Sequence, residues 1–164
     1  WSGPCSGSGT CNVTVSSNTA VTATFNLAPI LADLTATTLT SNPSQITERH
    51  PVTFTARINN AAGGANAGAF RVSFQVDVNN NGTVDVTLPA TVVSAGLNAG
   101  QFTNVVSAVW ANPPAGTHRI IACADSTGTV AESNESNNCT NTAGNPPSTG
   151  VVTIQSEEPI GTEQ

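Results

Sequence analysis

Seven short stretches in which apolar and polar residues alternate, fenced by Gly, Pro and Asn, constrain this 164-residue chain more than any other feature. An alternation of period two puts successive side chains on opposite faces of a strand, so one face can be buried while the other stays wet. Residues 52–58 show it best, with Val52, Phe54, Ala56 and Ile58 alternating with Thr53, Thr55 and Arg57. The same pattern gives strands over 33–39, 70–76, 83–88, 102–110, 117–124 and 151–155. Turn-forming clusters separate them at 41–43, 59–68, 79–82, 95–100 and 112–116. Helical periodicity is missing, and the abundant Thr, Val, Ser and Asn are poor helix formers. Seven such strands predict an all-β chain folded as an immunoglobulin-like sandwich over 28–156, with Phe74 and Trp110 as core anchors. Ahead of it, 11–15 and 20–25 flank a Ser-Ser-Asn-Thr turn and predict an N-terminal β-hairpin within 1–27. Residues 157–164 form an acidic tail.

Charged residues make up only 9% of the chain, a level that accompanies disorder when apolar residues are also scarce. Here 38% are apolar and they fall in β-branched runs, so a packed core is expected. The net charge of −6 rests on ten acids against Arg49, Arg57, Arg71 and Arg119, with no Lys. That balance excludes a nucleic acid as partner and opposes attachment to an anionic membrane. No apolar run approaches the roughly 20 residues that a membrane-inserted helix needs. The missing Lys also removes Lys–Asn isopeptide and sortase-type cross-links, leaving disulfides, metal, packing and strand pairing to supply strength. The chain opens on Trp1 in mid-motif and reads as a piece of something longer.

The cysteines form two local couples, Cys5 with Cys11 and Cys123 with Cys139. Four cysteines allow three connectivities. Local pairing is expected, because each bridge then lies within one structural unit, and it implies an oxidising, extracellular setting. A zinc site is disfavoured because no CxxC spacing occurs and His50 and His118 lie far from both couples.

The sharpest chemical motif is Asp77, Asn79, Asn81, Gly82, Thr83 and Asp85. Oxygen ligands at alternate positions around a Gly form a calcium-loop pattern, with the Thr83 carbonyl as one ligand. Leu88 stands where an EF-hand loop places its bidentate Glu, and Asn-Gly is also a plain hairpin signal, so a simple turn competes with calcium. A second polar cluster, Asp125, Glu132 and Glu135, reads as loop-forming side chains or as a further cation site. Catalysis finds no support. No Gly-x-Ser-x-Gly occurs, and the acids sit in loops and tail without forming a pair. His50 beside Pro51 and His118 beside Arg119 are expected as surface residues rather than bases.

Ala32-Asp-Leu34, Pro51-Val-Thr-Phe-Thr-Ala56 and Ala115-Gly-Thr-His-Arg-Ile-Ile121 carry a family resemblance, strongest in Cys123-Ala-Asp125 followed by 130–138. Together they make about three quarters of the chain similar to CARDB, the cell-adhesion-related domain found in bacteria. The resemblance implies a seven-stranded immunoglobulin-like sandwich in an extracellular adhesion or structural protein. Trp1 to Cys11 and 20–25 resemble the second half of a divergent internalin-type surface repeat. The function expected is a structural or adhesive module, with partners among neighbouring domains or further copies. Strand addition through 11–26 and 151–155 would then build a filament. A carbohydrate-binding or hydrolase-accessory module is the alternative, weakened by the absence of Tyr.

Overall fold

The computed structural model describes residues 2–140 and 150–157, so the acidic tail beyond Glu157 lies outside the described residues. Eight strands run in chain order: β1 (Leu34–Asn42), β2 (Ile46–Thr47), β3 (Thr53–Asn60), β4 (Phe70–Asp77), β5 (Val86–Val93), β6 (Phe102–Val106), β7 (Gly116–Cys123) and β8 (Val151–Gln155). They form two sheets, ordered β1-β3-β6 and β2-β8-β7-β4-β5. No helix is present among the described residues.

Burial follows the alternation. Phe54, Ala56 and Ile58 on β3 are fully buried, as are Leu34 and Ala36 on β1. Val72, Phe74 and Val76 on β4, with Ile120 and Ala122 on β7, meet them from the second sheet. Burying one of the Val, Leu, Ile or Phe side chains contributes roughly 1.5–3 kcal/mol, which is why the inward set decides the register. Trp110 joins this core at 8% exposure, its ring centroid 6.4 Å from that of Phe54.

All seven expected strands form, with shifted ends. β5 begins at Val86 rather than at 83, because 77–85 curls on its own side chains. β6 stops at Val106, because the Ser107 hydroxyl accepts the Phe54 N–H at 2.9 Å in place of a main-chain carbonyl. The chain rejoins β3's line only at Trp110, which exchanges two main-chain bonds with Val52. The eighth strand, β2, is two residues pairing in parallel with β8.

Two expectations change here. The stretch expected as a hairpin carries no strands, and the pairing in this segment is a single bridge between Ser2 and Thr22. An isolated two-stranded unit has no third layer to bury its apolar face, and Phe25 and Leu27 are accordingly 88% and 98% exposed. Residues 151–155 are not a free edge either. β8 lies between β7 and β2, paired with β7 over 151–154 and with β2 at Ile154 and Gln155.

Candidate functional site

Asp77 ends β4 with 1% exposure, so its carboxylate must find partners inside the loop that follows. Its Oδ1 accepts the Asn81 N–H at 3.0 Å and its Oδ2 accepts the Gly82 N–H at 2.7 Å. Asn79 Oδ1 accepts the Asn81 N–H, and Asn81 Oδ1 accepts the Thr83 N–H. Asp85 closes the ring, its Oδ2 accepting the Val78 N–H at 2.7 Å. Asn80 and Gly82 take positive φ angles of 55° and 89°, a conformation that Asn tolerates and Gly adopts freely. The side-chain oxygens of Asp77, Asn79, Asn81 and Asp85 therefore all turn toward the loop's own main chain.

A brace that the sequence did not reveal holds this loop from outside. His118 on β7 is buried at 2%, not on the surface, and stands edge-on to Trp110 at 5.6 Å between ring centroids. Its Nδ1 lies 2.6 Å from the Val78 carbonyl and its Nε2 lies 2.8 Å from the Pro114 carbonyl. It ties the β4–β5 loop to the segment entering β7. His50 is exposed and lies 3.5 Å from a Glu157 carboxylate oxygen.

The second cluster is built around β7's exit. Asp125, at φ 37°, accepts the Thr129 hydroxyl on Oδ1 and the Val130 N–H on Oδ2. Glu132, 6% exposed, accepts the Leu34 N–H on Oε2 and the Asn138 side-chain N–H on Oε1. Its own N–H goes to Glu135 Oε1 at 3.0 Å. Burial pushes the Glu132 carboxyl up to about 7; the charges of Glu135 and Asp125 add to this, against the two hydrogen bonds it accepts. Each of the three acids thus braces a turn or a strand start. Among the described residues no three His, Cys, Asp or Glu side chains converge to hold a metal ion.

Both disulfides pair locally, Cys5 with Cys11 and Cys123 with Cys139. The second links the end of β7 to a returning segment whose Asn138 carbonyl accepts the Ala124 N–H, while Thr140 donates its N–H to Ala122. Next to it lies a cleft of about 730 Å³ on the outer side of the second sheet, lined by Ser73, Gln75, Leu88, Asp125, Glu135 and Asn138 among others. Its lining contains no His, Lys or Arg.

Solved structures share the fold, two of them as follows. The CARDB domain of a Pyrococcus furiosus protein, solved in complex with di-metal ions, is 22% identical with a TM-score of 0.56, over 80% of this chain and all of that one. A domain of a putative cell surface protein from Methanosarcina acetivorans is 27% identical with a TM-score of 0.52, over 82% of this chain and all of that one. Both are archaeal, so the architecture is not confined to bacteria. No curated protein matches. The CARDB family pattern matches residues 31–142, well over half of the chain and including both polar clusters. This chain belongs to the CARDB family of cell-adhesion-related domains.

Proposed function

We propose that this domain is a non-catalytic structural and adhesive module of a secreted surface protein, working outside the cell. The observation that carries the reading is how the buried carboxylates are used. Asp77, Asp125 and Glu132 each hold main-chain N–H groups of a turn or a strand start, so their oxygens stiffen the domain. Two disulfides fit an oxidising location. Beads coated with the purified domain should adhere to cells or to one another more than beads coated with an unrelated sandwich of equal charge. Equal retention would overturn the reading.

Calcium fits the same loop. Asp77, Asn79, Asn81, Asp85 and the Thr83 carbonyl are oxygen donors, the chemistry a hard cation takes. A bound ion would neutralise the two carboxylates and cross-link a turn otherwise held by single hydrogen bonds. We expect calcium to raise the melting temperature, an effect lost in Asn79→Ala and in Asp77→Ala. Asp77→Ala should itself cost about 1–3 kcal/mol, since the Gly82 N–H loses its acceptor while the Asn81 N–H keeps Asn79 Oδ1. Identical melting curves in calcium and in chelator would leave 77–85 as a turn.

Self-association, or contact with neighbouring domains, would run through 20–31, where Phe25, Leu27 and Ile30 are exposed. Sedimentation of Phe25→Ser/Leu27→Ser beside the unaltered chain tests this; a monomer in both cases would exclude it.

A further inference from the structure

β6 is one of the two edges of the first sheet, and the hydrogen bonds at its ends fix which of its main-chain groups turn away from β3. Asn60 donates its N–H to Gln101 O at 3.0 Å, and Ser107 donates its N–H to Phe54 O at 2.8 Å. In an antiparallel ladder the bonded pairs alternate, so Thr103 and Val105 turn their main chain toward β3. Phe102, Asn104 and Val106 then turn their N–H and C=O groups to the open side. The Thr91 hydroxyl of β5 confirms this parity, donating to the Val106 carbonyl at 2.7 Å from that side. Native edges are commonly blunted by Lys, Pro or a bulge. β6 carries none of these, whereas β5, the edge strand of the other sheet that lies nearest to it, has Pro89.

Between the two edges runs a groove of about 380 Å³, lined by Thr91, Val92, Ser94, Asn104 and Val106 among others. Val92 and Val106 are 50% and 49% exposed there.

Arg57 overlooks this edge. It stands opposite Asn104 in the ladder, and its guanidinium carbon lies 3.6 Å from the centroid of the Phe102 ring. Its Nε donates to Asn59 Oδ1 at 3.0 Å, and Asn59 is held in turn by Thr37. Among the described residues no carboxylate pairs with it, and its terminal nitrogens make no hydrogen bond there. Asp33, at the start of the same sheet, is engaged by Asn137. In a chain of net charge −6, one cation is thus fixed in place with its carboxylate-matching fork unfilled. Fixing a long side chain before binding removes part of the entropic cost of recognition.

We infer that the open edge of β6 takes an extended, acidic segment of a partner protein. The segment adds as a strand whose main chain pairs with Phe102 and Asn104, and it places a carboxylate on the Arg57 guanidinium. Main-chain pairing supplies affinity, and the charge selects the side chain. The inference rests on the adhesive reading, since it names a surface through which adhesion runs.

The test is an amide NMR titration of the whole domain at millimolar concentrations of an eight-residue peptide alternating Thr and Glu. Parallel arms use the same peptide with Lys for Glu, the Glu peptide N-methylated on alternate main-chain nitrogens, and an oligogalacturonate. Shifts should appear at Phe102, Asn104 and Val92 with the Glu peptide and be absent with the Lys and N-methylated peptides. Arg57→Gln should weaken binding about tenfold. Asn104→Pro removes an N–H the ladder does not use and should abolish binding while the core amides stay protected. No shifts along β6, or equal binding of the Lys or N-methylated peptide, would overturn the proposal. Oligogalacturonate alone shifting this face would also overturn it and make the face a sugar site. If coated beads adhere equally well with Arg57→Gln, this edge is wrong while the adhesive reading stands.

Discussion

Between pH 4.5 and 7 the domain is expected to lose stability through Glu132, and Glu132→Gln is expected to remove that loss. Burial raises the folded-state pKa of this carboxyl from 4.5 to about 7, so across that window the folded chain holds a proton the unfolded chain has released. Stability then falls as pH rises, since the folded state binds more protons. The contribution is fully present below about 4.5, where both states are protonated, and lost above about 7, where both are ionised. The drop is on the order of 3 kcal/mol. Gln keeps an acceptor for the Leu34 N–H and adds no charge, so its denaturation midpoint should be flatter over this window. Glu132→Ala should behave differently. It strands the buried Leu34 N–H and the Asn138 amide, at roughly 1–3 kcal/mol for each unsatisfied group. Urea melts of the three proteins at pH 4.5, 6 and 8 decide it. Parallel pH profiles for wild type and Glu132→Gln would show that another group carries the dependence.

Removing the Cys123–Cys139 bridge as the Ala/Ala pair is expected to cost about 3 kcal/mol, the chain-entropy value for a loop of this length. The loss should be local before it is global. Segment 125–139 carries Glu132, which reaches across the fold to Leu34, and Ser133, whose N–H donates to the Ala32 carbonyl. Without the bridge, amides of 124–140 and the first residues of β1 should exchange together and early. Cys5→Ala/Cys11→Ala should leave the sandwich transition nearly unmoved, because that bridge closes an exposed loop apart from the core. Hydrogen exchange with a thermal melt of each pair checks both statements. Equal losses for the two pairs would mean that the N-terminal segment is part of the cooperative unit.

The seven strands and the inward set were legible because a strand's period of two is a local property. Val52, Phe54, Ala56 and Ile58 announce their own face whatever they pack on. The local disulfides were legible from spacing, and the Asp77–Asp85 motif stood out, since Asn and Gly at those offsets curl a chain by short-range bonds. His118 was misplaced because its neighbours in sequence describe a half-exposed strand. Only Val78 and Pro114, brought in by two other loops, make a polar ring acceptable at a buried position. The end of β6 was missed because a serine hydroxyl replaced a main-chain acceptor, which no alternation records.

The sheet-forming segments, their buried faces and the turn chemistry follow from interactions within a few residues of one another. Tertiary structure alone decided that 151–155 would be an inner strand rather than a free edge, and that Glu132 would close the far end of β1 98 positions away. It also set Arg57 over Phe102, beside a main-chain edge left open. These outcomes depend on which strands become neighbours. That choice is made by burying whole faces against one another, a sum over many distant residues that no local pattern contains.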